Sequence, residues 1–246
     1  MSATNGAGSG PRDTSANDVP SGDSRGAASP SRERRTRVLV VGVGGQGVLT
    51  VARWLGRAAQ TAGVPVVIGQ LHGMSQRGGS VETSVLFGPG SSSFIPSGGA
   101  HVVLGLEPME VLRAKQRVGP DTHLIVNTGR VVPCTLSFAG EPYPDVSAML
   151  AAVAGLGREL VTVEGSSLAH ALGEPRVLST LMTGALIGSG RVPLGRDEVW
   201  AAIESRCPPR LLEVNRQAFE AGLDATRRAT PSGGGGGGCG CGAGCS

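Results

Sequence analysis

Six residues, 42–47, have the types and the spacing of an anion-binding turn. They read Gly-Val-Gly-Gly-Gln-Gly and follow an apolar run at 38–41, so G-x-G-x-x-G stands between a predicted strand and a predicted helix. Unpaired N–H groups at a helix start attract an anion. We predict that this glycine turn receives an anionic group, as a cofactor-binding element, through Gly42, Gly44, Gly45, Gln46 and Gly47. The alternative is that its glycines only allow a strand and a helix to pack closely.

A standard dinucleotide site also needs an acidic residue about 20 positions further on, where it holds the ribose hydroxyls. The predicted second strand ends at Gln70, and no Asp or Glu occurs from 37 to 81. The charged side chains in that stretch are all arginines: Arg37, Arg53, Arg57 and Arg77. The stretch therefore favours an anionic group at the glycine turn and disfavours NAD.

A second polar and glycine-rich stretch, residues 71–80, reads Leu-His-Gly-Met-Ser-Gln-Arg-Gly-Gly-Ser; we call it the arginine segment. It follows the predicted second strand, at the edge where open parallel sheets bind ligands. A guanidinium suits a carboxylate, a phosphate or a partner's acidic side chain, and an imidazole titrates near neutral pH. His72, Gln76 and Arg77 are therefore the catalytic candidates. The alternatives are a subunit contact or a polar surface loop.

These two stretches are positioned by alternating strands and helices. Short β-branched runs predict strands, and longer amphipathic or apolar runs predict helices. The predicted strands cover 38–41, 65–69, 80–87, 101–106, 123–127 and about 160–163, and the predicted helices cover 48–62, 108–117, 176–188, 196–206 and 209–228. This order predicts an α/β, doubly wound, mostly parallel sheet with helices on both faces.

Composition bounds the domain and excludes several functions. Residues 1–36 and 230–246 are rich in Gly and Ser and lack apolar periodicity, so we predict disordered tails around one domain at 37–229. Aromatic residues make up 3% of the chain and the net charge is +3, which argues against nucleic-acid binding. No apolar run approaches the about 18 residues of a membrane span, and no signal peptide is recognisable, so we expect a cytosolic protein.

Other titratable residues have structural explanations. Glu107 and Glu110 flank a predicted helix start, where carboxylates are favoured. The remaining histidines, which lie at strand starts or in a helical stretch, are interpreted as structural: His101, His123 and His170. No His/Cys set has zinc-site spacing, and no G-x-S-x-G occurs in the predicted domain at 37–229. We therefore predict no metal site and no hydrolase.

Together, the two glycine-rich stretches resemble the gamma-type subunits of 2-oxoacid:ferredoxin oxidoreductases, and among them most closely the beta subunits of indolepyruvate ferredoxin oxidoreductases. The resemblance covers essentially the whole predicted domain and neither tail. The residues that carry it are 41–48 and 72–81, then Ile125-Val126-Asn127-Thr128, Pro142-Tyr143-Pro144, Asn215, Ala218-Phe219 and Gly222.

The resemblance implies an oxidative decarboxylation. A 2-oxoacid, in this subgroup an aryl pyruvate, reacts with coenzyme A to give an acyl-CoA, carbon dioxide and reduced ferredoxin. A larger partner subunit carries the thiamine diphosphate and the iron–sulfur clusters, and this chain alone binds no cofactor. In agreement, the chain has no Gly-Asp-Gly thiamine signature and no C-x₂-C-x₂-C-x₃-C run. Cys239, Cys241 and Cys245 are unsuitably spaced for a cluster.

Within this family, the arginine segment is expected to face the partner's cofactor or the entering coenzyme A through Gln76, Arg77, Gly78, Gly79 and Ser80. Two other functions stay open. The chain could be a nucleotide-binding subunit of another oxidoreductase, which predicts that it binds a dinucleotide when isolated. It could also be a non-catalytic scaffold of the same complex.

Overall fold

The computed structural model describes residues 35–72, 78–131 and 142–227, which all belong to one compact unit. These residues form six strands: Thr36–Val43 (β1), Val66–His72 (β2), Ser80–Phe87 (β3), Val102–Gly105 (β4), His123–Asn127 (β5) and Glu159–Val163 (β6). They also form seven α-helices: Val48–Thr61 (α1), Pro108–Arg113 (α2), Val146–Ala154 (α3), Gly165–Ala171 (α4), Leu178–Gly188 (α5), Arg196–Glu204 (α6) and Leu212–Arg227 (α7). Of the predicted tails, residues 1–34 and 230–246 lie outside the described residues.

The strands form one sheet in the order β2-β3-β1-β4-β5-β6. β1, β4, β5 and β6 pair in parallel, whereas β3 runs antiparallel between β1 and β2. β3 is reversed because only seven residues separate it from β2, and a parallel crossover needs a dozen or more. The predicted fold class, a mostly parallel α/β sheet with helices on both faces, is confirmed, with β3 as the exception.

β1 is the centre of the sheet and is buried on both faces. Val38 and Val40 point into a cluster shared with α1, α5, α6 and α7. Leu39 and Val41 point into the cluster on the opposite face, which α2 and α3 cover. This alternation follows from the period of two along a strand, and it explains why the first strand is apolar without interruption.

The predicted buried helix is α5. All of its residues from Leu178 to Ile187 are buried. α7 packs closely on α5, since a Cβ added to Gly222 would lie 1.9 Å from the carbonyl oxygen of Leu181. Close packing of helix on helix thus depends on a residue without a side chain.

Several element boundaries differ from those predicted. The sequence did not predict α3, which Asp145 caps by accepting from the N–H of Ala148 at 2.7 Å. The predicted helices that began near 176 and 209 each open with a short 3₁₀ turn instead. None of the helices in the described part of the chain is both long and apolar enough to cross a membrane.

Candidate functional site

The glycine turn connects β1 to α1 at the carboxyl edge of the sheet. Gly42 is buried, and a Cβ there would lie 2.9 Å from Val48 Cγ2 and 3.0 Å from Leu106 Cβ. Gly47 caps α1 with a φ of 91°, and a Cβ there would lie 2.8 Å from the Cβ of Ser179. Close packing therefore accounts for both glycines.

Gly45 lies at the exposed point of the same turn and has a different environment. Its φ is 106°, which only glycine adopts readily, yet a Cβ there would have no atom within 4 Å. α1 begins without a capping side chain and without an acidic residue in its first turn. The N–H groups at the start of α1 therefore have the polarity that favours an anion.

The Gln46 side chain fastens the turn to the sheet. The N–H of Val43 donates to Gln46 Oε1 at 2.8 Å, and Gln46 Nε2 donates to the carbonyl of Leu106 at 3.2 Å. Both polar groups of this amide are therefore used within the chain, where they join the ends of β1 and β4.

The arginine segment meets the glycine turn through the backbone. The N–H of Gly44 donates to the carbonyl of Gly79 at 2.8 Å, and the N–H of Gly78 donates to the carbonyl of Gly44 at 3.3 Å. Ser80 begins β3 directly opposite Val43 of β1. The glycine turn and the last three residues of the arginine segment, Gly78, Gly79 and Ser80, therefore meet at one edge of the sheet.

The three catalytic candidates are described only in part. His72 is the last residue of β2, opposite Val81 of β3. Its side chain lies outside the described part of the structure, as do Gln76 and Arg77.

Asn127 is one of the residues that carry the resemblance, and the sequence did not predict a role for it. It links three elements behind the turn. Its Nδ2 donates to the carbonyl of Leu106 at 2.9 Å and to Ser166 Oγ at 3.0 Å, and its Oδ1 accepts from the N–H of Ser166 at 3.0 Å. The side chain thus fixes the ends of β4 and β5 against the start of α4. Its signal in the sequence is a polar residue at the end of a buried strand.

Glu107 ties down the chain on both sides of residues 132–141, which are outside the described part. Its fully buried carboxylate accepts from the Tyr143 hydroxyl, from the N–H of Val131 at 3.3 Å and from the N–H of Glu110 at 3.1 Å. It also caps α2, in line with the explanation from the sequence. Burial, followed by the hydrogen bond to Glu107, raises the pKa of the Tyr143 hydroxyl.

A cleft of about 650 Å³ opens beside the glycine turn. Gly45 and Gly47 line it, together with Ser179 at the start of α5 and two exposed arginines, Arg130 and Arg206. Ser179 is 6% exposed, and no hydrogen bond of its hydroxyl occurs among the described residues. The cleft thus combines positive charge with two helix starts, a combination suited to an anionic ligand.

Two of the remaining histidines lie at the opposite, amino edge of the sheet. His101 Nδ1 accepts from the N–H of Arg37 at 3.1 Å, and burial, followed by the Arg37 charge, lowers its pKa. His123 Nδ1 lies 3.0 Å from Glu159 Oε2. His170, by contrast, lines the cleft beside the glycine turn.

Cys207 is the free cysteine of the described residues, and burial raises the pKa of its thiol. Cys134 and the three tail cysteines lie outside those residues. Across 35–72, 78–131 and 142–227, no three His, Cys, Asp or Glu side chains are grouped so that they could hold a metal ion.

Comparison with known proteins extends these observations. Indolepyruvate oxidoreductase subunit IorB of Archaeoglobus fulgidus is 33% identical over 198 residues, which are 80% of this chain and 98% of that protein. The subunit of the same name from Thermococcus kodakarensis is 34% identical over 192 residues, or 77% of this chain and 95% of that one.

Solved structures share the fold. The gamma subunit of a keto/oxoacid ferredoxin oxidoreductase from Geobacter sulfurreducens superposes with a TM-score of 0.57 at 19% identity, over 78% of this chain and 99% of that one. The 2-oxoglutarate:ferredoxin oxidoreductase of Magnetococcus marinus superposes with a TM-score of 0.64 at 15% identity, over 80% of this chain and 32% of the larger one.

The family model described as pyruvate ferredoxin/flavodoxin oxidoreductase matches residues 37–225. That match spans β1 to α7 and includes the sequence of both glycine-rich stretches. The resemblance seen in the sequence is thereby confirmed, and the chain belongs to the pyruvate ferredoxin/flavodoxin oxidoreductase family.

Proposed function

We propose that this chain is a subunit of an indolepyruvate-type 2-oxoacid:ferredoxin oxidoreductase. The complex oxidatively decarboxylates an aryl 2-oxoacid with coenzyme A to give an acyl-CoA, carbon dioxide and reduced ferredoxin. The observation that carries the proposal is the one-third identity to subunits named for indolepyruvate, over at least 95% of their length in the two compared above.

The division of labour is part of the proposal. The partner subunit holds thiamine diphosphate, which supplies the electron sink for decarboxylation, and iron–sulfur clusters, which carry electrons singly. This chain has no group of metal ligands among its described residues, and its sequence has no thiamine signature. We therefore expect no decarboxylase activity from this chain alone.

The role of this chain is to complete the partner's reaction centre. The backbone pairing of Gly44 with Gly78 and Gly79 supports this role, because it attaches the arginine segment to the glycine turn at the ligand-binding edge of the sheet. The open N–H groups at the start of α1 receive an anionic group. The Arg77 guanidinium binds a carboxylate or phosphate of the partner's cofactor or of coenzyme A.

The first experiment is co-purification of the partner, followed by an assay of decarboxylation of several 2-oxoacids with ferredoxin and coenzyme A. In the reconstituted complex, Arg77→Ala should lower the turnover rate at least tenfold and leave the unfolding midpoint of this chain unchanged. Arg227→Ala, which removes an exposed arginine at the end of α7, is the matched control.

Arg77→Ala and the isolated chain distinguish the proposed role from the two alternative functions. A scaffold role predicts that Arg77→Ala weakens assembly but leaves the rate per assembled complex intact. A nucleotide-binding role predicts that the isolated chain binds a dinucleotide. An unchanged rate in fully assembled complex removes Arg77 from the site.

A further inference from the structure

A second cavity, of about 750 Å³, lies on the outer side of α1 and adjoins the cleft beside the glycine turn, with which it shares Thr50, Trp54 and Arg206. α1 contributes Arg53 and Arg57 to its lining, the edge strand β2 contributes Ile68, and the segment after α6 contributes Arg206. These arginines are the charged residues of the lining. We call this cavity the arginine groove.

The positive charge of the arginine groove is not neutralised by the described part of the chain. Arg53 and Arg57 stand one helical turn apart on the exposed side of α1, a spacing at which like charges repel. The side-chain hydrogen bond of Arg57 goes to the neutral Ser205 hydroxyl at 3.1 Å. None of the ion pairs between described residues includes Arg53, Arg57 or Arg206. Such a surface attracts an acidic partner.

An open strand edge lies beside these arginines. β2 is at the end of the sheet and pairs with β3 on one side, and on its other side no described strand is present. Sheet edges are normally protected by a charged residue or a proline. β2 reads Val-Val-Ile-Gly-Gln-Leu-His and contains neither Pro nor Lys, Arg, Asp or Glu. An unprotected edge of this kind is a template for an added strand.

We propose that the arginine groove binds an extended acidic segment of the partner subunit, which adds to the sheet as a strand beside β2 and pairs its carboxylates with Arg53, Arg57 and Arg206. A second copy of this chain is a poor occupant, because pairing two β2 edges would bring two rows of arginines together. The proposal rests on the proposed function, since it requires a partner subunit.

The test measures the dissociation constant of the complex between the full chain and its co-purified partner, over a series of salt concentrations. Arg53→Glu/Arg57→Glu should raise the constant at least tenfold at low salt and make its salt dependence shallower. Arg53→Lys/Arg57→Lys keeps both positive charges, so its dissociation constant should stay within threefold of wild type. Lys115→Glu/Arg227→Glu changes the net charge equally at exposed positions outside the groove, and should stay within twofold.

Hydrogen exchange supplies the second readout. On complex formation, the amides of residues 66–72 that point away from β3 should exchange at least tenfold more slowly in wild type and not in Arg53→Glu/Arg57→Glu. Three results would overturn the proposal: an unchanged dissociation constant in that variant, an equal loss in the Lys115→Glu/Arg227→Glu control, or protection, already in the isolated chain, of the β2 amides that do not pair with β3. The last result would mean that another segment of this chain covers the edge.

Turnover of the wild-type complex tests the proposed function separately. If the wild-type complex is active but Arg53→Glu/Arg57→Glu leaves its dissociation constant unchanged, only the groove proposal is wrong. If the dissociation constant depends on Arg53 and Arg57 but the complex decarboxylates no 2-oxoacid, only the proposed activity is wrong. The unfolding midpoint of each variant, which should match wild type, excludes a general loss of folding.

Discussion

Replacing Gly47 by alanine tests the contact between the starts of α1 and α5. Gly47 has a φ of 91°, and an added Cβ would lie 2.8 Å from Ser179 Cβ. Both carbons are attached directly to backbone, so no rotation of a side chain relieves the contact. The alanine must therefore hold a left-handed conformation and also push the two helices apart.

The expected loss follows from these two contributions. A left-handed conformation costs an L-residue about 1–2 kcal/mol, and overpacking of a well-packed contact costs about 1–3 kcal/mol. Gly47→Ala should therefore lower the free energy of unfolding by about 2–5 kcal/mol. Gly45 and Gly63 also have positive φ, at 106° and 68°, but a Cβ there has no atom within 4 Å. Their alanine variants should lose only the first contribution, about 1–2 kcal/mol.

Urea unfolding of the isolated chain measures these differences, and a double-mutant cycle isolates the contact. Ser179→Gly removes the opposing Cβ, so it should restore about 1–3 kcal/mol to Gly47→Ala after its own helix-propensity cost is subtracted. Zero coupling, or a Gly47→Ala loss no larger than that of Gly45→Ala, would refute the packing explanation of Gly47.

Two further predictions concern the sheet ends. Asn127→Asp puts a carboxylate against the Leu106 carbonyl in place of the amide donor, and should lower the free energy of unfolding at pH 7 by about 3 kcal/mol or more. The control is Thr128→Ala, which removes a hydroxyl 3.5 Å from its acceptor, the Val163 carbonyl, and should lower the free energy of unfolding by about 0.5 kcal/mol or less. If Asn127→Asp lowers the free energy of unfolding by less than about 1 kcal/mol, the Asn127 hydrogen bonds do not hold the sheet ends as described. Because the pKa of His101 is lowered in the folded chain from 6.5, the unfolded chain takes up its proton first as the pH falls. Wild type should therefore have a higher thermal unfolding midpoint than His101→Asn, and this difference should shrink below about pH 6.5. If the two midpoints change in parallel from pH 5 to 8, protonation of His101 is not linked to unfolding.

Local patterns in the sequence predict most of the fold, because strand and helix periods are local properties. β1 was predictable because it is buried on both faces and hence apolar throughout. The reversal of β3 follows from a different constraint, the short distance between β2 and β3 along the chain. α3 was missed although Asp145 is a capping residue type, since the small apolar residues that follow it lack a clear amphipathic period.

The site was less predictable because its contacts join distant parts of the chain. The glycine turn is recognisable from spacing alone, but the partner of Gln46 is Leu106, sixty positions away. The link from Glu107 to Tyr143 likewise spans 36 positions. Residue types revealed that these groups need partners, while only the assembled sheet identifies the partners.

The glycine turn was explained either by anion binding or by close packing of a strand and a helix. In the structure, each explanation applies to different glycines of the turn. Gly42 and Gly47 have neighbours that leave no space for a Cβ, so packing requires them whether or not a ligand binds. Gly44 uses both backbone groups to hold Gly78 and Gly79, which makes it the joint between the turn and the arginine segment. Gly45 alone of the four faces open space with a positive φ. An anion at the turn should therefore depend on the backbone at Gly45, while the position of Arg77 should depend on the pairing at Gly44.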